Sequence, residues 1–425
     1  MPGGLPGWKQ RGSRAREVYQ NGGISSLTFQ TSQFIRRGLT DLIVQEVLFP
    51  DYERHVIGTD ALRNRCSDEQ LWELKQGKTL TVEEQSDVAP LRERDDLQYW
   101  TKPINPFVDP FVAELRDVYL VGRYPLSITS DGKVVGDTIY FGSDNPCESF
   151  RWRYYQRMTS AVQESSGRTW VSIKTGSSRF KAPTVPYATT ICEPSDNFYH
   201  WMIDNLTKLR GVERFEEETG NEVTLILRAD APSFVHEALD ALGYGENSYL
   251  EWEGGPLHVD RLVVPSFPEP DLETLEWLRS RLEASKGEKK VDSRGVYISR
   301  QKATKGRRIR NYDEVTSMLS DYGVEPIYLE DLSLSDEVAT LQHADWVVGP
   351  HGAGLTSMIW TDDLYVVELF NTVVNAPFYI LAEILGHNYG AIAGQGVGKT
   401  GYSRDQDIVI DVDELEHELA TRIPI

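Results

Sequence analysis

Gly349-Pro350-His351-Gly352-Ala353-Gly354 joins an apolar run, Trp346 to Val348, to a predicted helix from Leu355. Glycine lacks a Cβ, so such a turn lets the backbone come close to a ligand. The helix beyond it would aim free N–H groups and a positive dipole end at that ligand. A diphosphate suits the place. Glu368 stands near the end of the next apolar run, Tyr365 to Leu369. An acid there suits a ribose hydroxyl in a nucleotide-binding crevice. The same glycines also fit a tight turn in an ordinary α/β domain, so the turn needs support from elsewhere.

Support comes from a second cluster. A predicted strand ends at Ser299, and Arg300, Gln301 and Lys302 follow, then Gly306-Arg307-Arg308-Ile309-Arg310-Asn311. In a parallel sheet, ligands sit beyond the carboxyl ends of the strands. This loop is therefore expected on the same rim as the Gly352 turn. Arg300, Lys302 and Arg307 can meet phosphate oxygens, the arginines in bidentate fashion. A solvated loop with helix-capping charges is the plainer reading. A third cluster is Asn197-Phe198-Tyr199-His200-Trp201-Met202-Ile203-Asp204. His200 and Asp204 are four apart and share a helix face. Such a pair can take a proton from a hydroxyl. It is equally a buried histidine satisfied by its neighbour.

The elements that must position these residues alternate from Phe198 onward. Predicted strands are 223–227, 261–264, 295–299, 325–328, 346–348, 365–369 and 391–393. Predicted helices are 199–209, 233–242, 272–283, 312–322, 335–343, 355–360 and 377–385. Alternation means βαβ units and parallel sheets. The polar segment 285–293, SKGEKKVDS, reads as a linker. The expected architecture is α/β, with two Rossmann-like lobes facing a cleft. Residues 106–285 form the first lobe and 286–425 the second, after an N-terminal extension of mixed helix and strand, 1–105. Within 106–198 the pattern is β-rich, with strands at 114–123 and 134–141 around Ser130-Asp131-Gly132, and at 169–173 and 187–191. In the extension, a helix is expected around 68–75. Residues 31–49 place Ile35, Leu39, Leu42, Ile43 and Val47 on one helical face, interrupted by Glu46. That stripe faces a core or rests on a membrane surface.

Composition narrows the partners. The net charge of −21 over 425 residues argues against nucleic acid. Arginines number 30 and lysines 14, so acidic excess is joined to scarce lysine. Carboxylates keep a surface hydrated in concentrated salt, and a halophilic source is expected. Cys66, Cys147 and Cys192 are far apart, lack metal-ligand spacing and cannot all pair, as in a reducing compartment. No apolar run is long enough to span a membrane, and MPGGLPGWKQRGSRAR lacks the apolar core of a signal peptide. A cytoplasmic protein is expected, peripheral on the membrane's inner face if residues 31–49 dock there. Oligomeric state is not legible.

Together the clusters resemble glycosyltransferase family 61. The resemblance rests on Asn197, His200 and Asp204; on Ser299-Arg300 and Arg307-Arg308-Ile309-Arg310-Asn311; on Glu330-Asp331-Leu332-Ser333; and on GPHGAGL, 349–355, followed by VELF, 367–370. It covers about 193–394, in order and spacing. It implies a GT-B fold with the donor held by the C-terminal lobe, and inverting transfer from a nucleotide sugar, often a UDP-sugar. The acceptor is a hydroxyl of a glycan, a glycoprotein or a lipid-linked sugar, as in polysaccharide biosynthesis. The sugar is a hexose, a pentose or an N-acetylhexosamine. Carried onto this chain, Arg300, Lys302 and Arg307 contact the diphosphate. His351, Gly352, Ala353 and Gly354 cradle it, and Glu368 contacts nucleotide or ribose. Asp204 is the first choice of base, being charged at neutral pH, with His200 orienting it or exchanging roles.

Guanidinium groups can stabilise the departing diphosphate, and little dependence on a divalent metal is expected. Two Asp-x-Asp triplets, 405–407 and 411–413, lie outside the resemblance; the second suits the N-terminus of a last helix. A nucleotide-sugar epimerase and a non-catalytic nucleotide- or glycan-binding protein are the other readings. Product analysis separates the first of these from a transferase, and any turnover excludes the second.

Overall fold

A computed structural model describes residues 43–49, 51–77, 80, 88–99, 109–140, 148–164, 168–175, 181–192, 196–267, 270–283, 287–398 and 403–422. The chain divides into two compact units. The first comprises 36–79 with 105–281; the second comprises 1–35, 80–104 and 282–425.

The first unit is built on a nine-stranded sheet. Pro256–Pro265, Thr184–Thr190, Thr224–Arg228 and Tyr249–Trp252 run parallel. A helical run, 198–219, crosses from Thr184–Thr190 to Thr224–Arg228, and Ser233–Ala241 leads on to Tyr249–Trp252. Much of the rest of the sheet is antiparallel: Phe111–Val121 pairs with Pro256–Pro265, Leu126–Thr129 and Leu71–Glu73, while Val56–Ile57 pairs parallel with Val134–Val135. The expected parallel sheet is only part of what forms here, for a physical reason. Phe111–Val121 and Leu126–Thr129 are joined by a short connection, and short connections make antiparallel neighbours.

Several local expectations also change. Residues 169–173 were expected as a strand but lie in the helix Arg168–Thr175. Ser172 and Ile173 are both buried while Val171 is exposed, which a strand's alternation does not allow. The helix expected around 68–75 is a 3₁₀ turn, Asp68–Gln70, running into the strand Leu71–Glu73. The strand 134–141 stops at Val135, where Gly136–Thr138 turns. Of the 31–49 stripe, 31–42 lie outside the described residues. Ile43–Leu48 forms a π-helical turn in which Val44 is fully buried, as is Phe49 beyond it, in a core with Tyr52, Phe150 and Tyr154. Ile43, expected on the apolar face, is exposed. Among the described residues no helix is long and apolar enough to cross a membrane.

The second unit holds a five-stranded, all-parallel sheet. Its spatial order is Val324–Ile327, Gly295–Ile298, Trp346–Pro350, Tyr365–Phe370, Asn388–Ala393. In chain order that is 2-1-3-4-5, a doubly wound arrangement. All six residues of Tyr365–Phe370 are buried, as are Gly295–Ile298. Such continuous apolar runs mark strands covered on both faces. Tyr312–Asp321 and Val412–Arg422 supply Val315, Leu319, Leu415 and Leu419 to one core. Val88 and Leu91 pack on Phe370, Val374 and Tyr379, and Gln98–Tyr99 pairs with Val373–Val374.

Candidate active site

The strand order reverses between Gly295–Ile298 and Trp346–Pro350. At such a switch point the crevice outside the carboxyl ends is the ligand site of an open parallel sheet. Ser299-Arg300 leaves the first of these strands, and His351-Gly352 leaves the second. The two loops meet there. Arg307 Nη1 donates to the His351 carbonyl at 2.8 Å. A Cβ at Gly352 would fall on the Arg300 guanidinium. Gly352 has φ 167°, extended backbone open to any residue. Space, not conformation, demands glycine.

Arg300 and Arg307 are half-buried, and neither has a carboxylate within ion-pair distance among the described residues. Arg300 Nε reaches only the Gly306 carbonyl, at 3.4 Å, and Arg307 Nε is buried with no partner. Burial lowers the pKa of both groups. Arg307, repelled also by Arg300, falls to about 10. Arg307 has φ 70°, left-handed for a non-glycine residue, which costs on the order of 1–3 kcal/mol. Two cations are thus held close together at a backbone cost, with no carboxylate among the described residues in contact. An anionic ligand would offset their burial and their mutual repulsion.

The expected α-helix beyond the turn is a 3₁₀ helix, Ala353–Trp360. The Leu355 N–H closes onto the Gly352 carbonyl at 2.9 Å, and the Ser357 hydroxyl donates to the Gly354 carbonyl at 2.8 Å. The N–H groups of Ala353 and Gly354 precede that first closure. Added Cβ atoms at Gly354 would crowd Leu329 and Ile298.

Glu368, expected to contact nucleotide or ribose, lies behind His351. It has no exposed surface. Oε1 lies 2.5 Å from His351 Nδ1, and Oε2 accepts the Tyr389 hydroxyl. Both oxygens are used inside the protein, so Glu368 orients His351. Lys302, expected on the diphosphate, pairs through its ammonium with Asp331 and lies over the Tyr328 ring, at the surface. The structure brings together Arg300, Arg307, His351, Gly352, Ala353, Gly354 and, behind them, Glu368. Sequence reasoning missed Tyr389, Phe370 and Phe378. The two phenylalanines enclose the His351 ring at 5.3 and 5.4 Å between centroids.

The Asp-x-Asp triplets have structural partners. Asp407 accepts from the Arg308 N–H at 3.0 Å and pairs with Arg310. Asp411 Oδ1 accepts from the N–H groups of Asp413 and Glu414, capping Val412–Arg422.

In the first unit, Asn197, His200 and Asp204 form one hydrogen-bonded motif. Asn197 Oδ1 accepts the His200 N–H at 3.2 Å, and His200 Nδ1 lies 2.7 Å from Asp204 Oδ2. The stretch His200–Asn205 is a π-helical turn rather than the α-helix expected, and Asn205 Nδ2 donates to the His200 carbonyl at 2.9 Å. Single π turns inside helices concentrate at functional sites. The His200 side chain is 21% exposed and that of Asp204 10%. With Nδ1 facing the carboxylate, Nε2 is the nitrogen left to meet a ligand.

Residues 198–367 match the sequence model of the family described as Glycosyltransferase 61, the family whose motifs the chain resembles. The span contains His200, Asp204, Arg300, Arg307 and the turn 351–354. The EGF domain-specific O-linked N-acetylglucosamine transferase of Drosophila melanogaster is 31% identical over 98 residues, 22% of this chain and 18% of the fly protein. The chain thus spans under a fifth of the length of that curated relative. The crystal structure of the bacterial iron-containing dodecameric glycosyltransferase TibC, from enterotoxigenic E. coli H10407, is similar at a TM-score of 0.27 and 13% identity. The likeness covers 56% of this chain and 70% of that one.

Proposed function

We propose that this chain is an inverting glycosyltransferase that moves a sugar from a nucleotide sugar, a UDP-sugar first, to a hydroxyl of a glycan or a protein. The observation that carries the reading is the pair of half-buried guanidinium groups, Arg300 and Arg307. They lie beside the Gly352 turn at the switch point of a parallel sheet and have no carboxylate partner among the described residues. The family match over 198–367 supports it, as does the short likeness to a fly enzyme that transfers N-acetylglucosamine to EGF domains. A GT-B arrangement, with the second unit as donor lobe, is part of this reading.

In the transfer, the bond from the anomeric carbon to the diphosphate breaks and its electron pair goes to the phosphate oxygen. Arg300, Arg307 and the N–H groups of Ala353 and Gly354 stabilise that growing charge. The guanidinium groups supply what a divalent cation supplies in other nucleotide-sugar enzymes. On the acceptor side the exposure and hydrogen bonding favour an exchange of the expected roles. His200 takes the acceptor proton at Nε2, and Asp204 holds the ring and offsets its charge. The acidic, lysine-poor composition goes with work in concentrated salt.

A thermal-shift panel in roughly 2 M KCl tests the reading. UDP, GDP, dTDP and CMP, with their sugars, are each measured with Mn²⁺ and with EDTA. One nucleotide series should raise the melting temperature, equally in EDTA, and the Arg300→Ala variant should lose the rise. No rise with any of them removes the donor site.

A further inference from the structure

His351 stands between the anion site and the buried Glu368. Its Nδ1 faces Glu368 Oε1, its ring stacks on Phe370 at 22°, and it meets the Phe378 ring at 63°. Its side chain is still 17% exposed. With Nδ1 facing the carboxylate, Nε2 is the ring nitrogen left to meet a ligand. No described residue hydrogen-bonds that nitrogen. The backbone of the same turn touches both guanidinium groups, His351 through Arg307 and Gly352 through Arg300.

Behind the histidine the arrangement continues across the sheet. Glu368 is in register with Ala391 on the neighbouring strand. Tyr389, two residues earlier, lies on the same face. Its hydroxyl donates to Glu368 Oε2, and burial together with that carboxylate pushes the phenol above its ordinary pKa. The phenol therefore stays a donor. A carboxylate with no exposed surface needs compensation. Its contacts here are the Tyr389 hydroxyl and His351.

We propose that His351 is a catalytic residue whose Nε2, once protonated, donates a hydrogen bond to the departing phosphate oxygen, and that Glu368 and Tyr389 are positioning residues for it. This rests on the glycosyltransferase reading above. As the sugar leaves, the phosphate oxygen gains the electron pair of the broken bond. The proton stays on the imidazole, whose positive charge Glu368 offsets. The other charged groups around His351 are Arg307 and Arg300, with Arg404 and Asp405 acting on Arg307 through space. Both arginines stay cationic across the neutral range.

Replacing the two supporting residues should move the pH dependence of nucleotide binding in opposite directions. Glu368→Gln removes the charge that stabilises the imidazolium. Tyr389→Phe removes a donor that disperses the charge of the carboxylate, and so strengthens the pull of Glu368 on the proton. The test is the affinity for UDP, with GDP in parallel, from pH 6 to 9 on the full chain. In the wild type, affinity should fall as pH rises, by about tenfold, the worth of one charge-assisted hydrogen bond. His351→Gln should abolish the fall. Glu368→Gln should shift it to lower pH, and Tyr389→Phe to higher pH. The ligand's own titration is common to all four proteins and subtracts out. If Glu368→Gln does not fold, the other two variants carry the test. Wild type that binds neither nucleotide overturns the glycosyltransferase reading itself. Binding with the same pH dependence in all variants, or a shift of the same sign in both supporting variants, overturns the histidine proposal alone.

Discussion

The Arg300 guanidinium occupies the space that a side chain at Gly352 would need. Arg300 is therefore positioned by the absence of a Cβ on the neighbouring strand's loop. Gly352→Ala should fold, because the backbone there is ordinary extended chain, φ 167°. It should displace the guanidinium and lose one charge-assisted contact. That costs about 1.5–3 kcal/mol in nucleoside-diphosphate affinity, a factor of roughly ten to a hundred and fifty. Calorimetric titration with UDP checks it, and unchanged affinity would mean that Arg300 does not touch the ligand.

Arg300→Ala should separate stability from function. Burial lowers the pKa of Arg300, and Arg307 falls to about 10 under burial and repulsion from Arg300. For a base, a folded pKa below the unfolded one means that folding disfavours the charged form. The penalty is present at every pH below about 10 and is relieved only above it. Removing one cation should leave the melting temperature of the ligand-free protein unchanged or higher at pH 7. The same change should cost about 2–4 kcal/mol of transition-state stabilisation. A clear loss of melting temperature without ligand would assign Arg300 to the fold.

What could be read from the sequence follows from what each feature depends on. The strands of the second unit were legible because runs such as Tyr365–Phe370 are buried throughout. The meeting of the Arg300 and Gly352 loops was legible because parallel strands deliver their carboxyl ends to one rim. The partnership of Glu368 and Tyr389 was not. It is a diagonal contact whose existence depends on pairing Glu368 with Ala391, and register between distant strands leaves no local mark. The pairing of Lys302 with Asp331 was not legible either, because the two lie 29 residues apart. Residues 169–173 read as a strand because a short run with three β-branched residues, Thr169, Val171 and Ile173, fits both periods.

His200→Gln should leave nucleotide affinity intact and lower transfer by a factor of about 10²–10⁴, the usual worth of a general base. Asp204→Asn should also spare nucleotide affinity and cost transfer, by releasing the ring from the 2.7 Å contact at Nδ1. The discriminating measurement is the pH–rate profile. With His200 as the base, the acid limb should vanish in His200→Gln and persist in Asp204→Asn. If the limb persists in His200→Gln and vanishes in Asp204→Asn, the carboxylate is the base. If Asp204→Asn fails to fold, its role is structural.

The charge balance makes a prediction that needs no substitution. A net charge of −21 strains the compact state by self-repulsion in dilute buffer. Salt screens that repulsion, with a Debye length of about 10 Å at 0.1 M and about 3 Å at 1 M. Screening is nearly complete by about 1 M, so a gain confined to lower concentrations reports only relief of repulsion. A protein adapted to brine goes further, because its hydrated carboxylates make the fold depend on salt well beyond that point. The melting temperature should therefore keep rising in KCl between roughly 1 and 3 M, where excluded-salt effects act, and the fold should be lost in low salt. A melting curve that reaches its plateau by about 0.5 M KCl would reduce the acidic surface to a matter of solubility.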